Sequence, residues 1–315
     1  MKKFLLHLLS FAIVLIVILT VVDLLVTYKF HQIETRKYGV WNDMIHSTID
    51  ADLLVMGNSR AWGQYSTYIL DSMLHVNSYN IGIDGSAFNR QLVRYRVYRH
   101  YQKKPSLIIQ NVEYFTLNRT YGYEREQFMP YLMYPYFRSC ICKEEPFTFG
   151  ELYVPMYRYF VNNVYDEYTK FDYPVYKGYG GEDKTWDGSS LATMQPYRQE
   201  IDSAVYELFI DYIEKTKNEG IQMILVFAPI YTKVNELIIN RDEIKKIYQS
   251  LSAQYDIPFL DYSDWYVSND TTYFYNAMHL NRQGAEVFST QLALDIDSLE
   301  INGKLSRQKA SRERK

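Results

Sequence analysis

An apolar run near the N-terminus constrains the folding of this chain more than any other feature. Residues 4–26 are apolar except for His7, Ser10, Thr20 and Asp23, and residues 11–22 are almost unbroken. About 20 apolar residues in a helix cross a bilayer, because the hydrocarbon core is ~30 Å thick. The run therefore predicts a membrane anchor at residues 1–28.

The residues that flank this run predict its orientation. Lys2 and Lys3 precede it, and positive charges stay on the cytoplasmic side. We therefore expect a single-pass membrane protein with a cytoplasmic N-terminus and an extracytoplasmic main domain. A cleaved signal peptide is the competing interpretation, but Val22, Asp23 and Leu24 follow the apolar core in place of a small-x-small cleavage site.

The remaining sequence divides into three parts. Residues 29–49 form a polar connector that would lift the domain off the membrane, and residues 298–315 form a polar, basic tail. Between them, residues 50–297 are long enough for one large domain with a packed core. Within this domain, residues 117–198 are dense in tyrosine and too long for a connecting loop, so they form an insertion.

Alternating elements in residues 50–297 predict the fold class. Apolar runs at 52–56, 78–86, 106–112, 221–227 and 258–261 have strand composition, and helical patterns at 62–75, 89–101, 199–218 and 235–255 lie between them. A last helix runs to about residue 294. This order favours an α/β three-layer sandwich with a central parallel sheet.

One serine lies where the first predicted strand ends. The sequence LLVMGNSRAWGQ at residues 53–64 is apolar up to Gly57, and Asn58, Ser59 and Arg60 then follow at the turn. Nucleophiles of open α/β sheets lie at this carboxyl edge. The alternative is that Ser59 only caps the next helix.

One histidine lies just before the last predicted helix. In YNAMHLNRQGAEVFS, residues 275–289, Asn281 is a candidate helix cap, so His279 lies on a loop. By itself it is equally compatible with a surface residue. The strand-end G-x-S-R and the H-L-N-x-x-G-A sequence together resemble the SGNH/GDSL hydrolase superfamily, in which this serine is the nucleophile and this histidine its base.

The resemblance extends over residues 50–116 and 199–297, and it is strongest to membrane-anchored extracytoplasmic members, such as the SGNH-like proteins of alginate O-acetylation and teichoic acid D-alanylation. It implies an SGNH, flavodoxin-like fold with Ser59 and His279 as catalytic residues. It also implies an oxyanion hole with the backbone of Gly85, or in second place Gly82. Asn111 is the candidate for a second oxyanion donor, although the usual Gly-x-Asn-Asp is absent.

The third catalytic position departs from the family pattern. The superfamily has aspartate three residues before the histidine, and this chain has Asn276. An amide oxygen accepts the imidazole N–H but supplies no negative charge. Asp264 and Asp270 are the alternative partners for the ring. The predicted substrate-binding residues are Arg60, Glu113 and Tyr114, and Glu113 is also an equally placed candidate for the second oxyanion donor.

Composition limits the partners. A net charge of -3 gives no reason to expect nucleic acid. Cys140 and Cys142 form no disulfide framework, and the histidines have no ligand spacing, so we predict no metal and no cofactor.

Three functions are compatible with these features. The first is acyl transfer onto an envelope or secreted polysaccharide, beside a membrane protein that exports the acyl donor. The second is a carbohydrate esterase of the same fold, and the third is a non-catalytic binding protein. The tyrosines of the insertion either face the polysaccharide as a lid or pack the insertion against the sheet.

Overall fold

A five-stranded parallel sheet forms the centre of the fold. The computed structural model describes residues 1–120, 122–164, 175–189, 191–301, 303 and 305. The strands are β1 (Leu53–Met56), β2 (Ser78–Asn80), β3 (Leu107–Asn111), β4 (Gln222–Phe227) and β5 (Phe259–Asp261), in the spatial order β2-β1-β3-β4-β5. This is the flavodoxin-like order of doubly wound sheets, and it confirms the predicted α/β fold class.

The helices account for the burial of the central strands. They are α1 (Lys2–Phe30), α2 (Arg36–Ile45), α3 (Ser59–Gln64), α4 (Thr67–Leu74), α5 (Phe88–Tyr101), α6 (Pro135–Ile141), α7 (Phe149–Tyr153), α8 (Tyr157–Val161), α9 (Ser203–Asn218), α10 (Thr232–Asn235), α11 (Arg241–Tyr255) and α12 (Arg282–Ile301). The rings of Phe88 and Phe209 join α5 to α9, with centroids 4.7 Å apart. All residues of β1 and β3 are buried, because helices cover both faces of a parallel sheet.

Helix α1 is long and apolar enough to cross a membrane, judged by length and composition. It has 29 residues with a mean hydropathy of 3.0. Only Asp23, Thr27 and Phe30, near its C-terminal end, are buried. A membrane anchor and a signal sequence share these properties.

The predicted connector packs into the domain and does not act as a spacer. Val40, Trp41 and Met44 of α2 are fully buried. The guanidinium of Arg94, on α5, lies 4.2 Å above the Trp41 ring. Although most residues of this segment are polar, one face of α2 is apolar. That face packs into the core of the domain.

Several predicted boundaries differ from the structure. The helix expected at 62–75 is two helices, because Tyr65 turns into the core and the Ser66 side chain accepts the N–H of Ile69 to begin α4. The strand expected at 78–86 ends at Asn80, although Ile81 and Ile83 still donate to the carbonyls of β1 and Gly57. The helix expected from 235 begins at Arg241.

The insertion uses several tyrosines for packing. Tyr131, Tyr159 and Tyr179 are buried, as the packing interpretation predicts, whereas Tyr123 and Tyr176 are exposed. Two short helices, α7 and α8, lie in the insertion. Helix α12 passes the expected start of the tail at 298, and the basic residues 307–315 lie outside the described part.

Candidate active site

A tight turn at the end of β1 presents Ser59. Gly57 has φ +148°, and a Cβ atom there would lie 2.7 Å from the Cβ of Asn111, so the turn requires glycine. The side chain of Asn58 accepts the N–H of Arg60 at 3.0 Å and caps α3. Ser59 is the first residue of α3 and is partly exposed. Its hydroxyl therefore lies at the carboxyl edge of the sheet, within reach of solvent.

Ser59 and His279 are in contact. A short antiparallel ribbon, β6 (Phe274–Asn276) and β7 (His279–Leu280), holds the histidine. The Nε2 atom of His279 lies 2.7 Å from the Oγ atom of Ser59. This is hydrogen-bond distance, and it joins two residues that are 220 positions apart in the chain.

Asn276 fixes the orientation of the imidazole. Its Oδ1 atom accepts the backbone N–H groups of Met278, at 2.9 Å, and of His279, at 3.0 Å. Two N–H donors identify this atom as the amide oxygen. It also lies 2.9 Å from Nδ1 of His279, so the ring carries its proton on Nδ1. In the neutral imidazole Nε2 is then unprotonated, and it accepts a hydrogen bond from the Ser59 hydroxyl.

The two alternative aspartates have other partners. Asp264 accepts the side-chain N–H of Asn235 at 2.7 Å and pairs with Lys245 at 2.9 Å. Asp270 accepts the backbone N–H of Thr272 at 2.9 Å. These contacts favour Asn276 as the residue that faces Nδ1.

The rest of the H-L-N-x-x-G sequence positions the histidine loop. Asn281 accepts the N–H of Gly284 at 3.0 Å, as predicted for a helix cap, and donates to the carbonyl of Thr272 at 2.7 Å. A Cβ on Gly284 would lie 2.3 Å from the carbonyl oxygen of Tyr273. Glycine is therefore needed where α12 contacts the 3₁₀ turn that precedes β6.

Two of the candidate oxyanion donors, Asn111 and Gly82, lie beside the turn that carries Ser59. Asn111 is fully buried, and its Nδ2 atom lies 3.5 Å from Oδ1 of Asn58, the residue before Ser59. The Gly82 N–H donates to Asn80 at 2.9 Å. Gly85 has the aromatic ring of Tyr123 where a Cβ would project. The oxyanion roles of Gly85 and Asn111 stay predictions.

The predicted substrate-binding residues are buried. Nε of Arg60 lies 3.0 Å from Oε2 of Glu113. Burial raises the pKa of the Glu113 carboxyl above its usual range, although the charge of Arg60 opposes this shift. The Tyr114 hydroxyl donates to the side chain of Asn235. Arg60 and Glu113 thus support the turn from inside, whereas Tyr114 bonds to α10, and substrate binding by the three residues stays a prediction.

Asn80 is a structural residue of the site that was not predicted from the sequence. It is fully buried at the end of β2, and its Nδ2 donates to the carbonyl of Ala61 at 2.7 Å. With its bond to Gly82 it holds α3 against the loop that leads to Gly85. An asparagine at a strand end is the only signal that the sequence offers.

The end of the insertion contacts both halves of the site. The N–H of Asn80 donates to the carbonyl of Lys177, and the N–H of Gly180 to that of Trp62 on α3. Farther along, the N–H of Trp186 donates to the carbonyl of Phe274 on β6 at 2.8 Å. Residues 177–186 therefore form a strap from the edge of the sheet to the histidine ribbon.

Comparison with known proteins finds distant structural similarity. No family model and no curated protein matches this sequence. A solved protein described as lipolytic and of the G-D-S-L family, from Desulfitobacterium hafniense DCB-2, is similar with a TM-score of 0.41 and 12% identity over 78% of this chain and 99% of that chain. A protein described as an acylhydrolase, from Bacteroides fragilis NCTC 9343, has a TM-score of 0.37 and 14% identity over 78% and 86%.

Proposed function

We propose that this chain is a membrane-anchored serine enzyme that transfers an acyl group onto an envelope or secreted polysaccharide, on the extracytoplasmic side. The observation that carries the proposal is the 2.7 Å contact between Ser59 Oγ and His279 Nε2, with Asn276 holding the ring in the proton-accepting tautomer. In such a site the serine attacks an acyl carbon, and the imidazole takes its proton and returns it to the leaving group.

Asn276 lowers the expected rate without excluding catalysis. In a serine protease, changing the triad aspartate to asparagine costs about 10⁴ in turnover, largely through the wrong tautomer. Here the amide oxygen faces Nδ1, which removes the tautomer penalty. The remaining cost is the missing negative charge beside the imidazolium.

Exposed aromatic surface beside Gly85, the predicted oxyanion residue, supports a carbohydrate acceptor. Tyr123, whose ring packs on Gly85, remains 50% exposed. Tyrosine rings stack on sugars and offer a hydroxyl to their polar edges. The anchor and the resemblance to envelope-modifying SGNH-like proteins further support a membrane partner that delivers the acyl donor.

An esterase with water as acceptor is the second candidate, because the partly exposed Ser59 is also reachable by water. The test incubates the full chain, in detergent micelles, with p-nitrophenyl acetate, with and without an oligosaccharide. A transferase yields acylated oligosaccharide, detected by mass spectrometry, whereas an esterase releases acetate at the same rate in both samples. If the chain and Ser59→Ala are equally inactive, the catalytic proposal is wrong and a binding function is left.

A further inference from the structure

A patch of exposed apolar side chains lies beside the C-terminal end of α1. Between Phe149 and Val161 six large apolar residues are exposed, with Phe149 at 75% and Phe160 at 72%. The six are Phe149, Tyr153, Val154, Tyr157, Phe160 and Val161. Single exposed apolar residues are ordinary, but a contiguous group of this size marks an interaction surface.

The segment that forms the patch, residues 149–161, is described in full by the structure and has no exposed charge. It contains two charged residues, Glu151 and Arg158, and both are buried. Glu151 lies 3.2 Å from Arg125, and Arg158 pairs with Asp23 of α1. Helices that face water carry charge on their outer face, whereas α7 and α8 direct theirs inward. The outer face therefore suits a hydrocarbon environment.

A buried polar cluster fixes the patch at one level of α1. Asp23 accepts the N–H of Met156 at 2.7 Å in addition to the Arg158 guanidinium, and Thr27 contacts the hydroxyl of Tyr159 at 2.6 Å. Residues 4–22 of α1 span ~27 Å at ~1.5 Å per residue. This nearly fills a ~30 Å hydrocarbon core, so Asp23 lies at its outer edge.

A groove runs between α1 and α8 at this level. It has a volume of about 600 Å³, and its lining includes Val22, Leu25, Val26, Met156 and Phe160. One wall of the groove is a side of α1 whose apolar residues follow directly on the apolar segment 4–22. A groove with such a wall admits an acyl chain more readily than it admits water.

We propose that the exposed face of α7 and α8, with this groove, is immersed in the outer leaflet of the bilayer as a second membrane contact. The inference rests on the proposed anchoring of α1 and adds a lipid surface to it. Tyrosine is enriched at this depth of membranes, and Tyr153 and Tyr157 lie in the patch with the exposed apolar rings of Phe149 and Phe160. Two contacts fix the orientation of the domain, which a single helix does not.

The test uses the full chain with Cys140→Ala and Cys142→Ala, reconstituted in phosphatidylcholine vesicles that contain lipid with a nitroxide on the acyl chain. A fluorophore is attached at Phe160→Cys, at Val17→Cys in α1, or at Ile239→Cys, a remote position that is 65% exposed. Nitroxide lipid is expected to remove roughly half of the fluorescence at positions 160 and 17 and to leave position 239 unchanged, since interfacial helices insert about 5–10 Å.

Each other result has its own meaning. Quenching at 17 without quenching at 160 overturns the patch proposal alone, and a blue-shifted but unquenched label at 160 indicates a protein partner or a second copy, which also overturns it. Absence of quenching at 17 overturns the anchor and with it the inference. Equal quenching at 239 means non-specific adsorption and overturns the specific contact. Thermal unfolding that matches the unlabelled parent shows that the variants fold.

Discussion

The amide oxygen of Asn276 lies 2.9 Å from Nδ1 of His279 and determines which ring nitrogen faces Ser59. The same oxygen accepts two backbone N–H groups, so the amide cannot flip without losing both bonds. The imidazole is thus oriented as in a catalytic triad, but without a neighbouring negative charge at position 276. The rate should therefore respond to a charge placed there.

Replacing Asn276 with aspartate should raise turnover of an activated acyl ester about 10- to 100-fold, because a carboxylate keeps the hydrogen bonds and stabilises the imidazolium. The added charge favours protonated histidine, so the acid limb of the pH–rate profile should move to higher pH. Gln249→Glu adds the same charge at an exposed position and should change neither property. An unchanged profile for Asn276→Asp would show that position 276 does not influence the base.

Ser59→Ala should lower acyl-ester turnover by about 10³-fold or more, since the remaining groups only bind and polarise the substrate. The side chain is partly exposed, so the midpoint of thermal unfolding should stay within a few degrees of the parent. The matched control is Ser72→Ala on the exposed side of α4, which should retain full activity. Residual turnover equal to the parent would assign the nucleophile elsewhere.

Gly284→Ala should lower the free energy of unfolding by about 1–3 kcal/mol, because its Cβ would lie 2.3 Å from the Tyr273 carbonyl. Turnover should fall as well, since the displaced backbone carries His279. Gly63→Ala is the control, with a Cβ 3.9 Å from its nearest neighbour, the Gly180 carbonyl oxygen, and should be neutral or stabilising by about 0.5–1 kcal/mol. Urea unfolding followed by circular dichroism measures both; equal values would contradict the packing argument.

Glu113 should make stability depend on pH. Burial raises the pKa of this carboxyl. Its contribution to the free energy of unfolding is therefore fully present below its ordinary pKa near 4.5, and it is lost as pH rises through the folded-state pKa. A tenfold change in the acid dissociation constant between the unfolded and folded chain corresponds to about 1.4 kcal/mol of stability.

Glu113→Gln removes this dependence, so its stability relative to the parent should improve between pH 4 and pH 7. Urea unfolding at several pH values measures the difference. A relative stability that falls over this range would show that pairing with Arg60 outweighs burial and that the direction is reversed.

Asp23→Ala should loosen the insertion from α1. Removing one partner of a buried ion pair costs about 3–5 kcal/mol, because Arg158 is left buried and uncompensated. Hydrogen exchange in α7 and α8 should accelerate, whereas Asp211→Ala, which breaks the exposed pair with Lys215, should not affect it. The double variant Asp23→Leu with Arg158→Met should restore protection; failure to do so would indicate that the backbone bond from Met156 matters more than the ion pair.

The sequence predicts the ends of the site better than its interior. Ser59 and His279 are flanked by residues that the local backbone geometry requires, such as Gly57 in the turn and Gly284 against Tyr273. These required residues form a sequence pattern that can be recognised. The strands and the α/β class follow from apolar periodicity. The contacts of Asn80 and Asn111 depend on which segments meet in space, and no spacing in the sequence records them.

Polar segments were the least predictable. Residues 29–49 look like a spacer because polar residues outnumber apolar ones there, yet one face of α2 buries Trp41 and Met44. In the insertion, the sequence predicts that Arg158 lies on the surface, because its buried partner Asp23 is 135 positions away in the chain. Both cases arise because a buried ion pair or a single apolar face has little effect on average composition.

The strap of residues 177–186 has a consequence for how activity arises during biosynthesis. It hydrogen-bonds to β2, to α3 and to the ribbon that holds His279, so Ser59 is surrounded by segments that are synthesised at three different times. A growing polypeptide that has released only its first half holds a serine with no proton acceptor. If the proposed function is correct, reactivity toward acyl donors begins only when the ribbon that carries His279 has been made and has docked.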